Sequence, residues 1–355
     1  MRTSEFDYEL PPELIAQKPI SPRDASRLLV VDRDRRSLSH HHFYDLPEFL
    51  KPGDLLVHNQ TRVVRARLFA VKPTGGKVEI LLLRQEEGGL WRTLVGGRGV
   101  RPGMTLDLLD GPGGDTTKAV ARVVERGERA VRLLKFSEPV LPLAERIGVT
   151  PLPPYIHEPL EDDERYQTVY GSKPGSAAAP TAGLHFTASL LHRLHEMGVR
   201  SAFVTLHIGL DTFQPVHEEQ IENHEMHTEY CSLRPEVARQ VNETKLKGNR
   251  VVAVGTTGVR VLETAARLAL GGDPGAESCP WRTVVPFEQE TDLFIYPGYR
   301  FRAVDALITN FHLPRSTLLM LVAAFAGKDL IDRAYREALE LEYRFYSFGD
   351  AMLIL

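Results

Sequence analysis

The sequence predicts an α/β protein: a mostly parallel sheet covered by helices, with a small antiparallel barrel or sandwich inserted into it. Two patterns carry this expectation. From Thr187 onward, short aliphatic runs alternate with helical periodicities, the signature of strands joined by crossover helices. Between residues 61 and 136 the helical period vanishes, and six short β-branched or aliphatic runs recur between glycine-rich turns. The chain has 355 residues, enough for two sizeable cores.

Taken in order, the first elements do not resemble the inserted module. PPELIAQ reads as a helical segment and SRLLVVD as a strand. They are assigned to the α/β body, which makes that domain discontinuous: residues 1–60 and 150–355, with 61–149 as the insert. His40, His41 and His42 precede a DLP turn and read as an exposed strand edge. The insert's strands are VVRARLFAV, KVEILLL, WRTLV, MTLDLL, AVARVV and AVRLLKF. PTGG, EEGG, GGRGVRPG, DGPGGD and ERGE separate them. Arg65 and Arg67 share parity, so a strand through both places them on one face. The segment SEPVLPLAERIGVTPLPPYIHEPL is proline-rich and reads as a connector, and YQTVYGSKPGS as a long loop.

Next comes SAAAPTAGLHFT, residues 176–187, in which small residues crowd before one histidine and one aromatic ring. Small residues let a backbone approach a ligand closely, or let a buried turn pack tightly. Thr187 is placed to cap a helix whose apolar face is Leu190, Leu191, Leu194 and Met197, closed by Gly198. Strand VRSAFVTLH follows, then a helix from Pro235 towards Gly248, and strand RVVAV. GTTG then leads into a helix with Val259, Leu262, Ala266 and Leu270 on one side. Strand DALIT runs into NFHLPRS, where Ser316 can cap TLLMLVAAF. Ligands bind beyond the carboxyl ends of strands in such sheets, here the loops LHIGLDTF, GTTG and NFHLPRS.

Composition narrows the class. Hydrophobic residues make up 43% and charged residues 25%, ordinary for a globular protein. No apolar run is long enough to span a bilayer, and MRTSEFDYELPP has no signal-peptide core, so a cytoplasmic protein without membrane contact is expected. Cys231 and Cys279 alone can build neither a disulfide framework nor a cysteine-ligated cluster. Net charge is −4, yet residues 61–136 hold 15 Lys+Arg against 8 Asp+Glu. A basic module inside an acidic chain is an electrostatic footprint for a polyanion.

Several groups have chemical potential. Gly255–Gly258 offers backbone N–H groups and hydroxyls where strand meets helix, suited to an anion or carboxylate, or simply a tight turn. In NHEMHTE, His224, His227 and Glu229 invite a metal reading, but the spacing is not H-E-x-x-H, and hydrogen-bonded roles are expected instead. His185, His207 and His312 sit in loops beside small or polar residues and are candidates for proton transfer.

With FDYELPPELIAQKP, LKPGDLLVHNQTRVVRARL, YQTVYG, AAPTAGLHFT, VTLHIGLDTFQPV, HEMHTE, VGTTGVRVLE, LITNFHLPRSTLLMLVAAFAG and YRFYSFGDAMLI in one order, the sequence resembles the S-adenosylmethionine:tRNA ribosyltransferase-isomerases of the queuosine pathway. The likeness spans nearly the whole chain. It departs at Asp211, where glycine is expected, at Gly258, where serine is expected, and at Ala177, where valine is expected.

The resemblance implies an α/β body with an inserted β-barrel. The implied reaction moves the ribosyl unit of S-adenosylmethionine onto the aminomethyl group of a deazaguanine base in a tRNA anticodon. It yields an epoxycyclopentanediol, releases adenine and methionine, and requires no metal or other cofactor. His185, His207 or His312 would remove the proton beside the sulfonium, His185 being favoured. Asp350 or Glu229, with a pKa raised by burial, would assist adenine. Phe186 or Tyr346 would face the sulfonium. Thr256 and Thr257 would hold the methionine carboxylate. Asn59, Thr61 and Arg62 would join the domains and meet substrate, as would Thr181, Gly183 and Asn310. Arg65 and Arg67 would contact RNA, and a monomer is expected. Two other classes stay open: an RNA-binding protein without catalysis, and a metal-dependent hydrolase built on HEMHTE.

Overall fold

The computed structural model describes residues 1–209, 215–272, 279 and 281–355. The chain folds into two compact units. One comprises Met1–Thr61, Pro154–Lys173 and Ala179–Leu355. The other comprises Arg62–Pro153 and Pro174–Ala178.

Among the described residues of the first unit, nine strands form one sheet. Their order is Phe287–Thr291, Glu229–Leu233, Arg200–Leu206, Leu55–Asn59, Val251–Val254, Ala306–Asn310, Ala351–Ile354, Arg27–Asp32 and Ser37–His42. The four from Arg200–Leu206 to Ala306–Asn310 are mutually parallel. Ala351–Ile354 is antiparallel to Ala306–Asn310 and parallel to Arg27–Asp32. The remaining pairs, at both ends of the sheet, are antiparallel. The expected mostly parallel sheet is therefore corrected to a mixed one. Parallel neighbours need a crossover between them. Where the chain turns straight back, as from Asp32 to Ser37, the pairing becomes antiparallel. Ser37–His42 is an edge strand, mostly exposed through its polar residues, as expected of the histidine run.

Alternate residues of five strands bury one side of the sheet: Leu28 and Val30, Leu56, Val252 and Val254, Ala306 and Ile308, Ala351 and Leu353. Phe43, Leu46, Phe186, Leu190 and Leu194 cover them. Each buried Leu, Val, Ile or Phe among them stabilises the fold by about 1.5–3 kcal/mol. The helix Ala188–Glu196 is set by its cap, the Thr187 hydroxyl accepting from the Leu190 N–H at 3.1 Å. Ser316 caps Thr317–Ala326 in the same way.

The second unit closes into a six-stranded antiparallel barrel, in the order Val131–Phe136, Leu90–Val95, Lys77–Gln85, Arg67–Val71, Thr105–Leu109 and Thr116–Arg126. Inward positions alternate with outward ones, as with Ala119, Ala121 and Val123. Three local expectations change. Arg65 precedes its strand rather than lying in it, so it shares no strand face with Arg67. The proline-rich connector contains a helix, Val140–Ile147, burying Val140, Leu143, Ala144 and Ile147. Pro142 is tolerated there because first-turn N–H groups have no intrahelical acceptor. PPELIAQ forms only the 3-10 turn Pro12–Leu14.

Candidate active site

The carboxyl ends of three of the four parallel strands, Arg200–Leu206, Val251–Val254 and Ala306–Asn310, open on one cleft. It is lined by Ala179, Pro180, Thr181 and Ala182 together with Ile208, Gly255, Thr256, Thr257, Thr309, Asn310, His312 and Leu318. The small residues before His185 thus furnish a wall of the cleft. Gly183 itself serves packing: a Cβ there would lie 2.1 Å from the Tyr170 hydroxyl oxygen.

The GTTG turn is the first turn of the helix Gly255–Ala269. Gly255 takes φ +84, a conformation glycine adopts without strain. Thr256 and Thr257 are buried, and the Thr257 hydroxyl has no hydrogen-bond partner among the described residues. N–H groups at a helix N-terminus beside an unengaged hydroxyl make a receptive place for a carboxylate.

Asn310 is the hub. Its Oδ1 accepts from the Thr181 hydroxyl at 2.9 Å. Its Nδ2 donates to the Tyr346 carbonyl at 3.2 Å and to His185 Nε2 at 3.1 Å. This fixes the tautomer of His185: Nε2 is the acceptor, and Nδ1 carries the proton towards Ser26 Oγ at 2.7 Å. Tyr346 presents its carbonyl from a left-handed backbone, φ +69, a strained conformation for a bulky residue. Burial, with smaller contributions from the Arg344 and Arg23 charges, pulls the His185 pKa down to about 3. The imidazole is therefore neutral at neutral pH.

His312 lines the cleft, its Nε2 2.7 Å from Thr309 Oγ1, and burial pulls its pKa to about 3 as well. Its backbone N–H donates to the Tyr335 oxygen, and its carbonyl accepts from Tyr8. His207 is the least buried of the three. It sits 2.8 Å from Thr61 Oγ1 and stacks on Tyr230, and burial lowers its pKa.

Other expected residues lie elsewhere. Phe186 is fully buried in the core, edge-on to Phe43 and His58, and does not line the cleft. The Asn59 amide is sewn to the Leu206 backbone through both N–H and C=O. Both Asp350 oxygens accept N–H bonds, from the Arg27 backbone and side chain and from the Arg344 backbone. Glu229 accepts from the Gly209 N–H and pairs with the buried Arg260. His224 pairs with Glu218 at 2.9 Å. Asp211 falls outside the described residues. In the second unit Arg62 is half-buried, Arg65 donates to the Glu145 carbonyl, and Arg67 pairs with Glu79. Ser26, Thr309 and Tyr170 join this neighbourhood without a signal in the sequence, since each is an ordinary residue in an ordinary stretch.

An α/β sheet with a cleft at its parallel carboxyl edge, lined by both apolar and hydrogen-bonding residues, in a chain carrying a six-stranded barrel, defines a ligand-binding class of protein. Comparison narrows it. The family model described as queuosine biosynthesis protein matches residues 3–354. A protein of Symbiobacterium thermophilum, named S-adenosylmethionine:tRNA ribosyltransferase-isomerase, is 55% identical over 359 residues, covering 100% of both chains. One of Thermus thermophilus with the same name is 53% identical, covering 99% of this chain and 98% of its own. The crystal structure of S-adenosylmethionine tRNA ribosyltransferase from Thermotoga maritima matches with a TM-score of 0.54 at 44% identity, covering 99% of this chain and 100% of that one. The chain belongs to the queuosine biosynthesis protein family.

Proposed function

We propose that this protein is an S-adenosylmethionine:tRNA ribosyltransferase-isomerase. It transfers and isomerises the ribosyl unit of S-adenosylmethionine onto the aminomethyl-deazaguanine base of a tRNA anticodon, giving epoxyqueuosine and releasing adenine and methionine. The observation that carries this reading is the full-length likeness to relatives of that name, together with a cleft at the strand ends where an α/β sheet binds ligands.

The methionine carboxylate is assigned to the N-terminus of Gly255–Ala269, with Thr256 and Thr257. His185 is assigned as the proton acceptor for the ribose carbon beside sulfur. Its Nε2 lone pair is the free-base one and is masked by the Asn310 amide, so substrate engagement of Thr181 and Asn310 would unmask it. His312, which borders the cleft, is the alternative acceptor. Asp350 and Glu229 act as positioning groups, because N–H donors already occupy their oxygens. Tyr346 is assigned to the sulfonium side, and the barrel to tRNA.

The test is direct. Purified protein with S-adenosylmethionine and precursor tRNA releases adenine and methionine, and with either substrate alone it does not. Methyl transfer to the tRNA, or tRNA binding without adenine release, would overturn the reading.

A further inference from the structure

The barrel unit contains an arginine that its local chemistry does not neutralise. Arg132 is 7% exposed, covered by its neighbours though it lies close to the barrel surface. Every acceptor it holds is a backbone carbonyl: Val100 from Nε at 3.2 Å, and Arg129 and Val131 from Nη1 at 3.0 and 2.6 Å. No ion pair to it occurs among the described residues. Burial pulls its pKa down, and the like charge of Arg126 pulls it further the same way. Three carbonyls satisfy its donors, but no counter-ion neutralises its charge, which an anion arriving from outside can do.

What Arg132 does locally is tie two turns together at one end of the barrel. It holds the Val100 carbonyl of residues 96–103 and the Arg129 carbonyl of the turn between Thr116–Arg126 and Val131–Phe136. Lys72 holds the first turn again, at the Arg98 carbonyl, 2.9 Å away. Arg98, Arg101 and Arg129 lie in these turns and Arg126 ends the strand beside them; all four are exposed, and none is ion-paired among the described residues. Arg129 takes a left-handed backbone, φ +49, which marks a turn specified by its surroundings. The acids in these turns and the strand end beside them are Glu125 and Glu128, so five arginines stand against two glutamates. The arginines expected to bind RNA are otherwise engaged, Arg67 with Glu79 and Arg65 with the Glu145 carbonyl.

The geometry points to this rim, with Arg98, Arg101, Arg126 and Arg129 arranged around Arg132, as the surface that takes the phosphodiester backbone of tRNA. The inference rests on the proposed tRNA substrate and adds where the barrel meets it. Open, dispersed cations on two tethered turns suit an extended polyanion, because each arginine can engage a separate phosphate.

The experiment measures binding of precursor tRNA to the full-length protein across a potassium chloride series. Arg98→Glu/Arg101→Glu is compared with Arg122→Glu/Lys135→Glu, an equal charge reversal on the barrel wall, where these two residues are cross-strand partners. The rim variant is expected to bind about tenfold or more weakly and to flatten the log–log salt slope by about 2, one for each phosphate no longer neutralised. The wall variant keeps the wild-type slope, and both keep wild-type affinity for S-adenosylmethionine. Equal losses in the two variants, or an unchanged rim slope, overturn the rim while leaving adenine release by the wild type intact. A wild type that neither binds tRNA nor releases adenine would instead overturn the proposed function itself.

Discussion

Gly183→Ala is the sharpest test of why the stretch before His185 is built from small residues. The added Cβ would lie 2.1 Å from Tyr170 Oη, 2.8 Å from Thr168 Cγ2 and 3.1 Å from Tyr170 Cζ, all inside ordinary van der Waals distance. The backbone at Gly183 is not in the left-handed region, so the effect is steric alone. Tyr170 is packed against His58 and Phe203, so relief requires a ring to move by about an ångström or more. Overpacking of this kind costs about 1–3 kcal/mol. Tyr170 Oη has no hydrogen-bond partner among the described residues, so Tyr170→Phe alone forfeits no bond and should change stability by less than about 0.5 kcal/mol. In the double variant the closest clash disappears, and the cost of Gly183→Ala should shrink by about 1 kcal/mol of favourable coupling. Adding Thr168→Ser, which removes the methyl, should recover more. The assay is urea denaturation of these variants at one pH, paired with adenine release, since Thr181 and His185 flank the perturbed residue. A Gly183→Ala protein as stable as wild type with Tyr170 present, or strict additivity of the two substitutions, would refute the steric argument.

Other outcomes follow from the site and the buried groups of the same unit. His185→Ala should lose about 100- to 10,000-fold in kcat with little change in S-adenosylmethionine affinity; a near-wild-type rate would move the acceptor to His312. His58, His185 and His312 all have folded pKa values pulled to about 3 by burial. Their unfolded values lie near 6.5, so the unfolded chain binds more protons between these limits, and their contribution is fully present above about pH 6.5 and is lost as pH falls towards 3. Each should add about 1.4 kcal/mol per pH unit to the stability slope between about pH 4 and 6, and His58→Phe should reduce that slope by one such increment; an unchanged slope would show that His58 does not resist protonation. Glu229→Gln should cost about 3–5 kcal/mol by stranding Arg260, whereas Glu229→Gln/Arg260→Met should cost less than the sum of the single variants in thermal denaturation.

Much of this protein is written locally in its sequence. Thr187 and Ser316 announce their helices because a cap needs only a hydroxyl three residues before an N–H. The barrel strands are legible because short β-branched and aliphatic runs recur between glycine-rich turns. The cleft-forming loops are legible because they follow apolar strands. Strand direction was not legible at the sheet margins. Phe287–Thr291 is largely exposed and polar, and nothing within FEQET says which neighbour it joins. The Asn310–His185–Ser26 chain was invisible for the same reason: it joins residues 125 and 159 positions apart, and periodicity carries no information at that range. The role of Gly183 also required the fold, since its neighbour Tyr170 belongs to a different loop. Local periodicity and capping determined which segments became strands and helices. Only tertiary packing decided which carboxylates were already engaged, which histidines were kept neutral, and which arginines were left facing solvent, because burial and partner identity are set by residues distant in the chain.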